Sequence, residues 1–300
     1  MKNALWATIF IFYLGLSLSG CYKVLPPITT KNQATKYFEK ICKEEYNLPV
    51  TSHFAGRTLI VYVPINKTLF RLEAAKPDPF KNDTVQDKMT ILYQDVAFDG
   101  KALDVKYDIR PLKSYPNDLG YTAAADETLQ KMSTNLINAV YRSFADIKDD
   151  PKATLEEKRP EFIHIYLADI INGIQYEYLL YFEDYIESAQ QVLAYDEFAQ
   201  RNVYEITGNR NIIGDSLGQH LEIKSVTWPE FIRRQIKHRI NYKYTRSSFP
   251  PSENTEQEIL KAVEATMHAY DYKIYETVDL HDLYKNATTH YTREEINEFK

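Results

Sequence analysis

The chain has 300 residues, a formal net charge of −6 and a hydrophobic fraction of 44%. This length suffices for one large or two ordinary domains, and the hydrophobic fraction is typical of a globular protein. The mild acidity argues against nucleic acid as a general partner, because a phosphate backbone attracts basic surfaces.

The start of the chain has the organisation of an export signal. Lys2 precedes an apolar run over residues 4–18, and small residues follow it. A basic start, an apolar core and small residues before a cleavage point are typical of a secretory signal peptide. As a helix this run would be about 23 Å long, short of the roughly 30 Å core of a bilayer, which disfavours a transmembrane anchor.

The residues that follow, Leu18-Ser19-Gly20-Cys21, resemble the lipobox of bacterial lipoproteins. The resemblance covers only this N-terminal part of the chain. It implies that residues 1–20 are removed and that the thiol of Cys21 carries fatty acids such as palmitate, which makes the membrane a partner through a lipid anchor. Because Tyr22 and not Asp follows the cysteine, the sorting rule of enteric bacteria implies the outer membrane more than the inner one.

A short tether leads from the lipidated residue to the first helix. Residues 21–31 form this tether and contain Pro26-Pro27, and the nine residues 22–30 span at most about 28 Å. The folded part is therefore expected close to the bilayer. With Cys21 acylated, Cys42 cannot form an internal disulfide, and its place on the apolar face of a helix predicted over residues 32–46 favours a buried structural thiol.

Residues 32–207 alternate between strand and helix patterns, which predicts an α+β domain with a mainly antiparallel sheet and packed helices. Residues 58–63 and 103–109 are predicted strands, and residues 123–145 have the apolar spacing of a helix. Asn172-Gly173 lies between two apolar and aromatic runs and predicts a hairpin closed by a type I′ turn, with positive φ at both residues.

Residues 208–300 are predicted to form a glycine-containing loop and a smaller helical C-terminal subdomain. The loop contains Gly208, Gly214 and Gly218, and helices are predicted to begin at Thr227 and Thr255. The first of these helices lies in a basic segment, residues 224–246. It is expected either to contact anionic lipid headgroups or to dock on the domain and pair with the acidic residues 251–300. A stripe of isoleucines at its centre favours docking.

No catalytic, cofactor-binding or metal-ligating residue is assigned from the sequence. Gly214-Asp215-Ser216-Leu217 resembles the nucleophile motif of a large esterase and lipase family, but the partner blocks of that family are absent, so the motif is interpreted as a turn. The histidines are scattered without metal-ligand spacing, and His164 is interpreted as a core or sheet residue.

The sequence therefore predicts a membrane-tethered cell-envelope lipoprotein that acts as a non-catalytic binding or structural module. Its expected partners are envelope proteins or polymers. Two alternatives remain, a tethered hydrolase with an unrecognised site and a carrier of small solutes or lipids. The chain has 24 tyrosines and 2 tryptophans. A flat tyrosine-rich face would favour the binding module, a pocket of titratable groups the hydrolase, and a large apolar cavity the carrier.

Overall fold

The structure is a computed structural model that describes residues 28, 30–74, 88–112, 121–125, 127–147, 152, 154–155, 158–209, 211, 213–214, 217–245 and 254–299. The helices are α1 (Lys31–Glu44), α2 (Glu127–Phe144), α3 (Phe182–Ala189), α4 (Tyr195–Arg201), α5 (Trp228–Thr245), α6 (Thr255–Ala269) and α7 (Arg293–Ile296). The strands are β1 (Thr51–Ala55), β2 (Thr58–Ile65), β3 (Phe70–Ala74), β4 (Lys88–Asp99), β5 (Ala102–Leu112), β6 (Tyr121–Ala125), β7 (Phe162–Asp169), β8 (Ile174–Tyr181), β9 (Val203–Gly208), β10 (Thr277–Asp282) and β11 (Ala287–Thr292).

The strands form two larger sheets and one small one. The five-stranded sheet has the order β1-β2-β7-β8-β9, the four-stranded sheet the order β11-β10-β5-β4, and β3 pairs with β6. Only β2 with β7 and β10 with β5 run parallel among these pairs. The predicted α+β class with a mainly antiparallel sheet and C-terminal helices is therefore confirmed.

The two larger sheets contain the same four-strand arrangement. In each, a first hairpin (β1–β2 or β4–β5) lies in parallel against a second hairpin (β7–β8 or β10–β11), and a helix begins directly after it. The backbone hydrogen bonds that begin the two parallel pairs are equivalent, from Glu161 N to Arg57 O and from Glu276 N to Lys101 O, each 2.8 Å. The sequence shows no internal repeat, so the two sheets share their strand arrangement without sharing a sequence pattern.

Helix α5 lies in the core shared by the two larger sheets. Helices α1 and α2 cover one face of the five-stranded sheet, and the buried residues Leu59, Val61 and Ile165 belong to that layer. Ile232, Ile236 and Ile240 of α5 belong to a second core with side chains of the four-stranded sheet and of α6. The basic helix therefore docks on the domain, as the isoleucine stripe predicts.

The predicted hairpin at Asn172-Gly173 is confirmed, but its predicted turn type is wrong. Asp169 is opposite Ile174, so the loop has four residues, and Gly173 has a positive φ of +66° while Asn172 does not. The carboxylate of Asp169 accepts hydrogen bonds from the backbone N–H groups of Ile171 and Asn172 at 3.1 and 3.0 Å. These bonds stabilise the longer loop, and a two-residue turn would lack them.

Three further details differ from the sequence prediction. Residues 123–125 belong to β6, and α2 begins only at Glu127. The side chain that caps α6 is that of Asn254, which accepts a hydrogen bond from Gln257 N at 3.1 Å, and not that of Thr255. The C-terminal part also contains the unpredicted hairpin β10–β11, which completes the four-stranded sheet.

Candidate functional site

A chain of polar side chains lies on the face of the five-stranded sheet that is turned towards α5. His164 and Tyr166 are two residues apart on β7, so they share a face, and Glu177 on β8 is opposite Tyr166 in the register. Arg234 approaches from α5. His164, Tyr166 and Arg234 expose 6%, 8% and 8% of their surface, so the cluster is a buried polar network within an apolar sheet.

The distances define a continuous path of hydrogen bonds. The Tyr166 hydroxyl lies 3.1 Å from His164 Nδ1, and His164 Nε2 lies 2.6 Å from Glu177 Oε1. Because the carboxylate of Glu177 can only accept, His164 Nε2 donates to it, and Nδ1 forms the hydrogen bond with the Tyr166 hydroxyl. The guanidinium of Arg234 pairs with Glu177, and it also lies 3.6 Å from the carboxylate of Glu205 on β9.

The electrostatics determine the protonation of two members of the network, Glu177 and Tyr166. Burial acts to raise the pKa of Glu177, but the hydrogen bond from His164 and the charge of Arg234 outweigh it and lower the pKa to about 2. Burial, together with the Glu177 charge, raises the pKa of Tyr166 above its usual value. At neutral pH the carboxylate is therefore charged and the phenol keeps its proton.

This arrangement has the order hydroxyl, imidazole, carboxylate that catalytic triads use. A phenol whose pKa is raised is a poor nucleophile, however, and every member of the chain is nearly closed off from solvent. The chemistry that the network supports best is structural. The ion pair of Arg234 with Glu177 fixes the position of α5 on the sheet, and the two hydrogen bonds of His164 order the side chains of β7 and β8 beneath it.

A glycine-containing segment lies over the same sheet face beside the network. A Cβ on Gly218 would lie 2.9 Å from the ring of Tyr62, and Gly218 has a positive φ of +67°. His220 Nε2 lies 2.8 Å from Gln175 Oε1, and Ile213 packs in the same small core as Tyr62. Glycine is therefore required at position 218, because a side chain would clash with the ring of Tyr62 and because other residues are strained at this positive φ.

Two surface cavities lie away from the network. One, of about 510 Å³, is lined by Lys101, Lys273, Ile274, Glu276, Arg293 and Glu294. The other, of about 330 Å³, is lined by Asp95, Val96, Ala97, Phe98, Pro229, Glu230 and Arg233. Neither lining contains a histidine or a cysteine, and the first is mostly charged. These cavities have the features of neither a hydrolase site nor an apolar carrier cavity.

The opposite face of the five-stranded sheet carries a row of aromatic side chains, which we call the tyrosine surface (Tyr176, Tyr178, Tyr204 and Ile206). The rings of Tyr176 and Tyr178 stack with centroids 6.4 Å apart, and those of Tyr176 and Tyr204 with centroids 6.1 Å apart. Tyr204 and Ile206 belong to the edge strand β9 and are 44% and 57% exposed. Aromatic rings with exposed apolar neighbours at a sheet edge are typical of an interaction surface.

The residues singled out in the sequence are not brought together. Cys21, the predicted lipidation residue, lies outside the described residues, as do Asp215 and Ser216 of the esterase-like motif. Cys42 is buried, and burial followed by the Glu39 charge raises its pKa to about 12, as expected for a structural thiol. His281, one of the scattered histidines, lies on the outer face of the four-stranded sheet, 3.1 Å from Asp104.

The partners of His164 were not predicted from the sequence. A signal was present, because Glu177 is the one charged residue of strand β8 and must therefore find a partner when the strand is buried. The identity of that partner, Arg234, depends on the long-range placement of α5. The predicted pairing of the basic helix with residues 251–300 is found for Lys243 and Glu258, 2.6 Å apart, whereas Arg239 pairs with Glu197 at 2.7 Å.

Among the residues that the structure describes, no group of three or more His, Cys, Asp or Glu side chains could hold a metal ion. Within the same part of the chain, every helix is too short or too polar to cross a bilayer. No protein-family model matches the chain, and comparisons with curated proteins and with solved structures found no match either.

Proposed function

We propose that the protein is a cell-envelope lipoprotein, held on a membrane by acyl chains on Cys21, whose folded part is a binding module. The observation that carries the anchor is Leu18-Ser19-Gly20-Cys21 directly after a signal-peptide pattern. Two or three acyl chains suffice for stable attachment, since each buried methylene contributes about 0.8 kcal/mol. Tyr22 after the cysteine favours the outer membrane where a cell has two.

The tyrosine surface supports a binding role for the folded part. Tyr204 and Ile206 are 44% and 57% exposed at the sheet edge, and the half-buried rings of Tyr176 and Tyr178 pack beside them, which suits contacts with envelope proteins or polymers. The alternative of a hydrolase finds less support, because the hydroxyl–imidazole–carboxylate chain at His164 is nearly closed to solvent. The carrier alternative would need an enclosed apolar cavity, and the two cavities described above are open and partly charged.

The anchor is tested by replacing Cys21 with Ser and following the incorporation of a labelled fatty acid. We expect Cys21→Ser to lose the label and to leave the membrane fraction or to remain unprocessed. Cys42→Ser is the matched control, because the chain has 2 cysteines and Cys42 is buried, so this variant should keep the label. Mature, labelled and salt-resistant membrane material from Cys21→Ser would refute the proposed anchor.

A further inference from the structure

The start of α1 identifies the part of the fold that lies nearest to the proposed anchor. Thr30 has an extended backbone and caps α1, and Lys31 begins the helix. The ammonium group of Lys31 donates to the carbonyl of Gly56 at 3.0 Å and lies 4.7 Å from the centre of the Phe54 ring. The chain therefore enters the fold at the β1–β2 turn, at one end of the five-stranded sheet.

A second segment of the chain runs beside the same turn. A Cβ on Gly56 would lie 3.0 Å from Ser225 Oγ, and Val226 N donates to Thr58 Oγ1 at 2.9 Å, which fixes residues 225–226 against β2. The indole of Trp228 donates to Glu161 at 3.2 Å. We call this region, formed by the β1–β2 turn and residues 222–228, the tether end.

The tether end presents an apolar side chain and a cation to the outside. Ile223 is 52% exposed, and the side chain of the neighbouring Lys224 is 56% exposed and pairs at 3.1 Å with Glu222, which is 77% exposed. Trp228, which has an apolar body and a polar ring nitrogen, is half-buried a few residues further on. An exposed aliphatic residue beside a lysine, with a partly buried tryptophan five residues further on, suits the boundary between lipid and water.

We propose that the tether end rests on the surface of the bilayer that holds the acyl chains, with Ile223 in contact with lipid. This inference rests on the proposed lipidation of Cys21. The nine residues 22–30 reach at most about 28 Å, so the tether end cannot move far from the membrane. Strand β2 then points away from the bilayer, and its eight residues place the β7–β8 loop about 26 Å further out.

The orientation is tested with single-tryptophan variants of the processed, lipidated protein in phosphatidylcholine vesicles that contain brominated lipid. Trp6 is removed with residues 1–20, so Trp228 is replaced by Phe, and one tryptophan is introduced by Ile223→Trp or by Ile171→Trp. The two sites are matched, because both isoleucines are about half exposed and they lie at opposite ends of the same sheet. We expect the lipid to quench most of the Ile223→Trp fluorescence and little of the Ile171→Trp fluorescence.

Flotation of the vesicles in the same samples separates the two proposals. Protein that does not float with the vesicles would refute the lipid anchor and, with it, the orientation. Protein that floats but shows equal quenching at the two sites, or stronger quenching at residue 171, would refute the orientation alone. Protein that floats with both tryptophans unquenched would mean that the tether end is covered by something other than lipid, which also overturns the inference.

Discussion

Single buried polar residues on α5 show how the sequence accommodates charge inside the core. Arg234 and Arg239 expose 8% and 5% of their surface, and each pairs with a carboxylate of another element. His238 is equally buried, and burial lowers its pKa to about 4 from an ordinary value of 6.5. The imidazole stays neutral at neutral pH, because burial and the nearby charge of Arg239 outweigh its hydrogen bond to the backbone of Ala199.

The pKa of His238 predicts that acid destabilises the fold. The unfolded chain takes up a proton on this residue below about pH 6.5, and the folded chain does so only near about pH 4. The free energy of unfolding therefore falls by up to about 3 kcal/mol as the pH drops through this window. We expect His238→Asn to flatten this dependence, measured by urea denaturation across the window. His268→Asn, at an exposed position of α6, should leave it intact, and an equal slope for all three proteins would contradict the assignment.

Glu177 acts in a separate and more acidic window. Its folded pKa of about 2 lies below the ordinary 4.5, so its contribution to stability is complete above about pH 4.5 and is lost as the pH falls towards 2. The two residues therefore affect the same unfolding curve at different pH values. Between about pH 4.5 and 6.5 the His238 effect can therefore be measured while the ion pair of Glu177 with Arg234 is intact.

At the scale of single elements, the two second hairpins use the same loop. Both loops have four residues, both follow an aspartate that accepts a backbone hydrogen bond, and both end in a residue with positive φ. That residue is Gly173 in β7–β8, with φ of +66°, and Asn286 in β10–β11, with φ of +51°. Glycine and asparagine are the residues that tolerate this conformation best.

Gly173→Val is predicted to destabilise the protein by more than about 1 kcal/mol, because a β-branched residue is strained at positive φ. Gly208→Val is the matched control in the same sheet, since Gly208 lies in β9 with open space around its Cα and without a positive φ. Chemical denaturation of both variants measures the difference. Equal midpoints would count against the loop conformation.

Helix α5 is predicted to be held by its isoleucines more than by its exposed cations. Ile236 is fully buried, so Ile236→Ala should leave a cavity and lower the free energy of unfolding by about 2–5 kcal/mol. Lys237→Glu, on the next residue of the same helix but only half-buried, should cost about 1 kcal/mol or less. Thermal melts of the two variants test this order, and a larger loss from Lys237→Glu would overturn it.

At the scale of the whole molecule, local patterns predicted the hairpin β7–β8 and the docked isoleucines because each depends on residues close in the chain. The hairpin β10–β11 was not predicted, because only Val278 and Leu280 carry its apolar alternation and its partner β5 is remote in sequence. The ion pair of Arg234 with Glu177 could not be predicted for the same reason, since its partners are 57 residues apart and belong to different elements. Lipidation at Cys21 and the envelope location stay predictions.

The parallel pair of β5 with β10 has a consequence for the order in which the protein folds. Lys101 and Glu276 meet at its start across 175 positions of the chain, and closing so long a loop is slow. All strands of the five-stranded sheet precede residue 209, whereas the four-stranded sheet needs residues near the C-terminus. A chain that is synthesised from its N-terminus can therefore form the five-stranded sheet while one edge of β5 is still unpaired. That edge can aggregate until the hairpin β10–β11 pairs with it.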